Sequence, residues 1–384
     1  MAGIPTTTPA ELKDRIDAGT DVTLVDVRGP ADYEEWHIDG ETVENVNVPF
    51  REFQVGDPLD VLESINTDGE VVAVCATGTT SRQATAWLNQ HGVDARNLQH
   101  GMNGWAFLYE SVELDVPGES TVVQFQRPSS GCLSYLIVSG GEAAVVDPLR
   151  AFADTYLDVA RDYGADLAYA LDTHVHADHV SGARTVGRRA SAEVVVPEPA
   201  VDRGVQFANE VRTVADGDAV PVGDVDVEVR HTPGHTSGMT AYRVEDVLLT
   251  GDGLFVESVA RPDLEDADAA REAAGRLYES LQERVLSLPD ETVVAPAHFS
   301  DSADRAADGS YTARLGDLAE AMDALSMDRS SFVDYILSDM PPRPANYEDI
   351  IATNLGQHHP PENVALELEL GPNNCAASQD SMAD

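Results

Sequence analysis

Lysine is nearly absent from this chain: Lys13 is the only one, and lysine and arginine together number 24 against 68 acidic side chains. A formal net charge of −44 leaves no basic stripe to neutralise phosphates, which excludes a nucleic-acid partner. Cysteine is scarce too. Cys75, Cys132 and Cys375 do not resemble a disulfide framework, and a reactive thiol among them needs a reducing compartment. No apolar run approaches membrane-spanning length, and the start, Met1 to Thr8, has neither a charged n-region nor an apolar h-region. The expectation is therefore a cytoplasmic protein with no membrane partner. What remains in excess is carboxylate. Such acidity keeps a protein hydrated at high ionic strength, where screening suppresses self-repulsion, so it reads as halophilic adaptation and not as a docking surface.

A chain of 384 residues is long enough for two or three domains with real cores. Its first part alternates helical stretches (Glu11 to Ala18, Pro58 to Ile65, Ser81 to His91) with short apolar strands (Val22 to Asp26, Val71 to Val74). That pattern predicts a parallel sheet with helices on both faces. Linker signals fall near Pro117 and Gly118. From Thr121 the pattern changes to strand after strand (Val122 to Phe125, Ser134 to Val138, Ala143 to Val146) before a helix near Ala153 to Tyr163. Two packed sheets with outer helices would read this way. Amphipathic helices, including Ala313 to Leu325 and Ser331 to Leu337, form a predicted extension over 301–357, and 358–384 reads as an acidic tail, mobile from Leu366 onward.

The densest chemistry lies in Thr173-His174-Val175-His176-Ala177-Asp178-His179, three imidazoles and a carboxylate behind an apolar strand. Alternate residues of an extended segment share a face, so His174, His176 and Asp178 can point together, and His179 joins them as the backbone turns into a helix. Three further residues, His235, Asp252 and His298, each follow an apolar run and sit in a turn signal. Strand ends therefore converge on one site. Imidazoles and carboxylates in this combination are ligands for zinc, iron or manganese. His91, His358 and His359 stand outside the set and read as ordinary histidines.

His-x-His-x-Asp-His (174 to 179), Pro-Gly-His-Thr-x-Gly (233 to 238), Gly-Asp (251 to 252) and Pro-Ala-His (296 to 298) together resemble the metallo-β-lactamase superfamily, over residues 121–300. The resemblance implies an αββα sandwich, and two of its branches compete. Glyoxalase-II-like thioester hydrolases imply two Zn(II), one on His174, His176 and His235, the other on Asp178, His179 and His298, with Asp252 bridging. Persulfide dioxygenases imply one Fe(II) per chain on His174, His235 and Asp252, which makes His176, Asp178, His179 and His298 outer groups. The flanking Ala177 and Gly182 are similar to the dioxygenase pattern. So is Arg261, where that family places an arginine holding a substrate carboxylate. One departure stands out: both branches carry a tyrosine two residues past the last histidine, where this chain has Ser300 after Phe299. A carrier thiol other than glutathione would explain it.

Cys75 stands where an apolar strand becomes a Gly-containing loop ahead of a helix. Backbone N–H groups of 76–81 can curl around its sulfur, and the positive helix end favours an anion there. With Val-Asp-Val-Arg (25 to 28), Val-Pro-Phe (48 to 50) and Gly-Met-Asn-Gly-Trp (101 to 105) around it, residues 10–108 resemble a rhodanese domain. The resemblance implies sulfur transfer through Cys75, with Asp26 and Arg28 structural. Rhodaneses commonly place an arginine at Thr80; here Arg82, two residues on, is the candidate for a substrate anion. The organisation expected is thus a rhodanese-like domain (1–115), a metallo-β-lactamase-fold domain (121–300), the extension and the tail. The expected function is a persulfide dioxygenase fused to a sulfurtransferase, using a small-molecule persulfide or sulfane-sulfur donor and O₂, in a possible homodimer. A dinuclear zinc hydrolase is the alternative, and a rhodanese fold used only for binding, with Cys75 idle, is a third.

Overall fold

Short runs of Val, Ile and Leu set the sheets of the computed structural model, which describes residues 3–300, 302–338, 340–344, 346–361, 364–365 and 368–369. The chain divides into two compact units: residues up to Tyr109 joined by Arg127–Ser130, and Glu110–Gln126 with the chain from Gly131 onward.

In the first unit, β1 (Thr6–Thr7), β2 (Val22–Asp26), β3 (Val43–Asn47), β4 (Glu70–Val74) and β5 (Ala95–Leu98) form one sheet in the order β1-β5-β4-β2-β3. Every pairing is parallel. Strand side chains alternate between faces, so the sheet feeds two cores. Leu24, Val72 and Val74 pack with Leu12 and Trp105 on one side. Val25 and Val71 pack with Phe53, Ala84 and Leu88 on the other.

The second unit holds two sheets. The first joins β6 (Glu110–Glu113), β7 (Thr121–Arg127), β8 (Cys132–Ser139), β9 (Glu142–Val146), β10 (Asp166–Leu171), β11 (Glu193–Pro197) and β12 (Arg212–Val214) in simple sequence order. The second joins β13 (Ala219–Val222), β14 (Val225–His231), β15 (Thr240–Val244), β16 (Val247–Gly251), β17 (Val293–Pro296) and β18 (Ala313–Arg314), again in order. Tyr135, Ile137 and Val146 from one sheet meet Val229, Tyr242 and Leu249 from the other in an inner core. The reverse face of β15 and β16, through Ala241 and Leu248, packs on the helices Ala270–Ser280 and Arg329–Ser338. Sheet against sheet with helices outside is the αββα arrangement expected.

Three details differ from the sequence reading. Glu110–Glu113, which a boundary at 115 assigns to the first domain, pairs antiparallel with β7 in the second unit. The predicted helix Ala313 to Leu325 is divided. Ala313–Arg314 pairs with β17, and Met322 adopts an extended φ/ψ of −99/102 between the helices Leu315–Ala321 and Asp323–Ser326. Pairing with β17 satisfies backbone groups that a longer helix would leave open at that sheet edge. Cys375 and the expected mobile tail lie outside the described residues, except Leu368 and Glu369. Glu369 is buried and accepts the Val180 N–H at 2.8 Å. Among the described residues no helix is long and apolar enough to cross a membrane.

Candidate functional site

Strands β10, β14, β16 and β17 end at one edge of the sandwich, and the loops that follow carry the histidines and aspartates. His174, His176, Asp178 and His179 lie between β10 and the helix Ala183–Ala190. His235 lies between β14 and β15, Asp252 just past β16, and His298 just past β17. The Pro-Gly before His235 has a steric reason: a Cβ on Gly234 would lie 2.4 Å from Leu277 Cα. All seven side chains are buried.

They do not form one undivided cluster. His174, His235 and Asp252 make one group whose ligand atoms lie within 4.8 Å of one another. Asp252 Oδ2 is 3.6 Å from His174 Nε2 and 3.6 Å from His235 Nε2. Ligand atoms ~2.1 Å from a shared ion lie roughly 3–3.5 Å apart, so this spacing suits a cation between them. The hydrogen bonds on the outer edges point the same way. Thr173 Oγ1 donates to Asp147 Oδ2 at 2.8 Å and so accepts His174 Nδ1–H at 2.9 Å. His235 Nδ1–H donates to the Arg261 carbonyl at 2.8 Å. With Nδ1 protonated in both rings, each Nε2 turns a lone pair inward.

Those two nitrogens and Asp252 Oδ2 are buried and have no hydrogen-bond partner. Each such group costs about 1–3 kcal/mol if left unsatisfied, and one cation would satisfy all three. Burial holds the His174 and His235 imidazoles below their ordinary pKa, which keeps them neutral, as metal ligation requires. Burial works to raise Asp252, but His298 beside it outweighs that and keeps the carboxylate ionised.

His298 itself donates Nδ1–H to Asp252 Oδ1 at 2.5 Å and Nε2–H to Asp178 Oδ2 at 2.8 Å. Burial opposes its charge, but the two carboxylates dominate and hold it protonated. His179 Nδ1–H also reaches Asp178 Oδ2, at 3.0 Å. His176 turns Nε2–H to Asp147 Oδ1 at 3.1 Å, and Asp172 Oδ1 is 3.9 Å away. His176 Nδ1 and His179 Nε2 are likewise buried without a hydrogen-bond partner, so open atoms extend beyond the trio, and among the histidines only His298 has both ring nitrogens engaged by carboxylates.

Three residues in these networks carried no assignment from the sequence. Asp147 closes β9 and accepts from Thr173 N, Thr173 Oγ1 and His176. Its sequence signal was an aspartate ending an apolar strand before Pro148. Asp172, just past β10, accepts Ser181 Oγ at 2.8 Å. Cys132 opens β8, bridges to the His298 backbone and lies 3.3 Å from Asp178 Oδ2. Nothing in its neighbourhood in the sequence marked it. Thr173→Val removes the hydroxyl between Asp147 and His174, so metal affinity is expected to fall roughly 10–100-fold. Chelator competition reads this directly, and an unchanged affinity would show that the ring needs no such support.

Arg261 corrects an expectation. Its guanidinium is buried, with Nε 2.7 Å from Asp263 Oδ1, Nη2 3.2 Å from Asp263 Oδ2 and Nη1 2.8 Å from the Pro342 carbonyl. The fork expected to grip a substrate carboxylate already holds Asp263. Arg261 instead touches the site through its carbonyl, which orients His235. Asp263→Ala strands a buried cation, and a loss of about 3–5 kcal/mol in unfolding free energy is expected. Urea unfolding measures it; a loss under ~1 kcal/mol would mean that Arg261 finds other partners readily.

In the first unit, Cys75 follows β4 and is 5% exposed. Burial works to raise its thiol pKa. The Ser81 hydroxyl and the N–H groups of Ser81, Thr77 and Thr80 outweigh this, and the thiol sits below its ordinary value. Ser81 Oγ is 3.2 Å from Sγ and 2.7 Å from Asn97 Oδ1, so one proton has two acceptors. The loop is packed closely: a Cβ on Gly101 would fall 1.9 Å from the Cys75 carbonyl oxygen. Arg82 is exposed on the helix Thr80–Gln90 that follows. The half-buried fork of Arg28 holds Asp26 at 2.7 Å.

Comparison with known proteins agrees with this geometry. Residues 128–298 match the metallo-beta-lactamase superfamily and residues 8–107 the rhodanese-like domain. The mitochondrial persulfide dioxygenase ETHE1 of Bos taurus is 26% identical over 223 residues, 55% of this chain and 84% of that protein. An uncharacterized protein of Mycobacterium leprae is 33% identical over 193 residues, 44% of this chain and 86% of that protein. The crystal structure of ETHE1 from Myxococcus xanthus superposes with a TM-score of 0.53 at 29% identity, covering 61% of this chain and 98% of that one.

Proposed function

The chain belongs to the metallo-β-lactamase superfamily and carries a rhodanese-like domain ahead of that fold, and from this premise we propose that it oxidises a small-molecule persulfide to sulfite at a single iron. The observation that carries the reading is the trio itself: His174, His235 and Asp252 turn open atoms on one another, and both ring nitrogens of His298 are taken by carboxylates. Two imidazoles and one carboxylate on one face are the donor set of mononuclear Fe(II) oxygenases. When bound, Fe(II) would supply vacant positions and a redox-active centre through which electrons pass from the sulfur substrate to O₂. The overall change is RSSH + O₂ + H₂O → RSH + SO₃²⁻ + 2 H⁺.

The chain's own groups do the rest. Arg261 O and Thr173 Oγ1 fix the two imidazoles, so little reorganisation is needed when an ion binds. Asp252 places a negative charge against the cation, and His298 stores a proton between Asp252 and Asp178. Burial of all these groups keeps water from the reacting sulfur. Ser300 gives its N–H to Glu257 Oε1 at 3.0 Å, and Phe299 stacks on Tyr311 with centroids 3.7 Å apart. No phenol stands two residues past His298, and we assign a carrier thiol other than glutathione.

The rhodanese-like domain supplies matching chemistry. The Cys75 thiolate attacks the outer sulfur of a sulfane donor, the donor S–S bond breaks, and the electron pair leaves with the carrier thiolate. Cys75 keeps the transferred sulfur as a persulfide. Persulfide is thus the intermediate of one domain and the substrate class of the other, a connection that a thioester hydrolase lacks.

A second reading, a dinuclear zinc hydrolase, draws on two observations: Cys132, Asp178, His179 and His298 also lie within metal-sharing distance, and His176 Nδ1 and His179 Nε2 are buried without a hydrogen-bond partner. The two part on turnover. Anaerobically purified, iron-loaded protein given a low-molecular-weight persulfide is expected to consume O₂ and release one sulfite per O₂. Thioester cleavage by a two-zinc form, with no O₂ uptake, would overturn the oxygenase.

A further inference from the structure

Basic side chains are few in this chain, yet four arginines converge on one place. Arg150, Arg184, Arg188 and Arg212, with His358 and His359, line two adjoining hollows of about 730 and 130 Å³ that share Arg184, Arg188, Phe207 and His359. The carboxylates on the same walls are Asp172, Glu193 and Glu210. Four bases against three acids inverts the balance of 24 to 68 in the whole chain.

The arginines are not equally committed. Arg212 pairs with Glu193 at 3.7 Å and donates to the Ala219 carbonyl at 2.9 Å. Arg188 reaches the Thr185 hydroxyl at 3.2 Å, and Arg184 lies 4.3 Å over the Phe207 ring. Among the described residues neither these two nor Arg150 has an ion-pair partner. Burial and then the nearby Arg188 hold the Arg184 guanidinium below its ordinary pKa; Arg150 adds to the effect, while Glu210 and Asp172 work against it without cancelling it. Like charges kept close around a hollow repel one another, and a bound anion would relieve that repulsion. A field this acidic elsewhere also disfavours long polyanions such as nucleic acid, which leaves a small ligand.

We propose that this hollow binds a small phosphate-bearing anion, clamped by Arg150, Arg184 and Arg188. The guanidiniums come from two elements, the turn Arg150–Phe152 and the helix Ala183–Ala190, so an anion between them would accept from separate directions. That suits a tetrahedral group better than a planar carboxylate. The larger hollow has the size of ordinary small-molecule sites, with room beyond the phosphate for an organic part. The site also adjoins the histidine loop. Ser181 and Asn354 line the smaller hollow, and Asn354 Nδ2 donates to the carbonyls of His176 at 3.0 Å and His179 at 2.8 Å. Occupancy would therefore stiffen the loop that carries the ligands.

Calorimetric titration of the metal-loaded full chain with inorganic pyrophosphate tests the assignment, with citrate as an anionic counterpart rich in carboxylates. Saturable binding at one per chain is expected, tighter for pyrophosphate than for citrate. Arg184→Gln with Arg188→Gln should weaken it at least tenfold at unchanged metal content, and Arg212→Gln by less than twofold. Absence of saturable binding by the unmodified protein would overturn the site whatever the variants do. So would binding that survives in the double variant, since that would mark chelation at the metal. Citrate binding as tightly as pyrophosphate would overturn the choice of phosphate.

Discussion

Replacing His235 by Ala is expected to empty the metal centre while leaving the fold standing. Iron content should drop below about a tenth of the unmodified level, and persulfide-dependent O₂ uptake should fall ~10³-fold, equivalent to about 4 kcal/mol of barrier. The size of the effect follows from position. His235 is fully buried in a loop, its only described hydrogen bond is to the Arg261 carbonyl, and its Nε2 faces Asp252 at 3.6 Å. Its removal leaves His174 and Asp252 as the last two members of the open group. Metal analysis and an oxygen electrode read both quantities on the same sample. Full iron content in the variant would mean that His176 or His298 can turn inward, and the three-residue site would be wrong.

Cys75→Ser is expected to cut sulfur transfer to a thiol acceptor by about 10³-fold or more, since the hydroxyl that replaces the thiolate is a far weaker nucleophile at neutral pH. Oxygen uptake with a free persulfide should stay within twofold. The pH dependence carries a sign. Because Thr77, Thr80 and Ser81 hold the thiol below its ordinary pKa, transfer should rise with pH and level off below the range of an ordinary thiol. A plateau reached only above that range would show that the loop N–H groups do not stabilise the thiolate. Unimpaired transfer by the variant would make the rhodanese-like domain a binding module.

The sequence showed most of this architecture because its signals were local. Short apolar runs at Val22–Asp26 and Val71–Val74, alternating with helical stretches, marked a sheet covered on both faces, and the three turn-borne candidates His235, Asp252 and His298 each sat at a strand end that propensity and turn chemistry identify. What stayed hidden was set by tertiary partners. Arg261 reads as an available cation until Asp263 and Pro342 are seen to occupy its fork. Cys132 sits in an ordinary apolar strand, and only the pairing of β8 with the His298 segment brings it beside Asp178. Asp147 and Asp172 look like routine strand-ending acids, yet they decide where His176 points. The helix predicted over Ala313 to Leu325 failed for the same reason, because an unpaired edge of β17 claims its first two residues.

One metal or two is a question of which of these side chains bind. Iron-edge X-ray absorption on anaerobically loaded protein, with metal counted per chain, addresses the sorting of ligands directly. One iron per chain with two imidazoles and oxygen donors in its shell, and no sulfur scatterer from Cys132, is the result this account requires. Two metals per chain, or a thiolate in the shell, would contradict it and move the chemistry to the Cys132–Asp178–His179–His298 group.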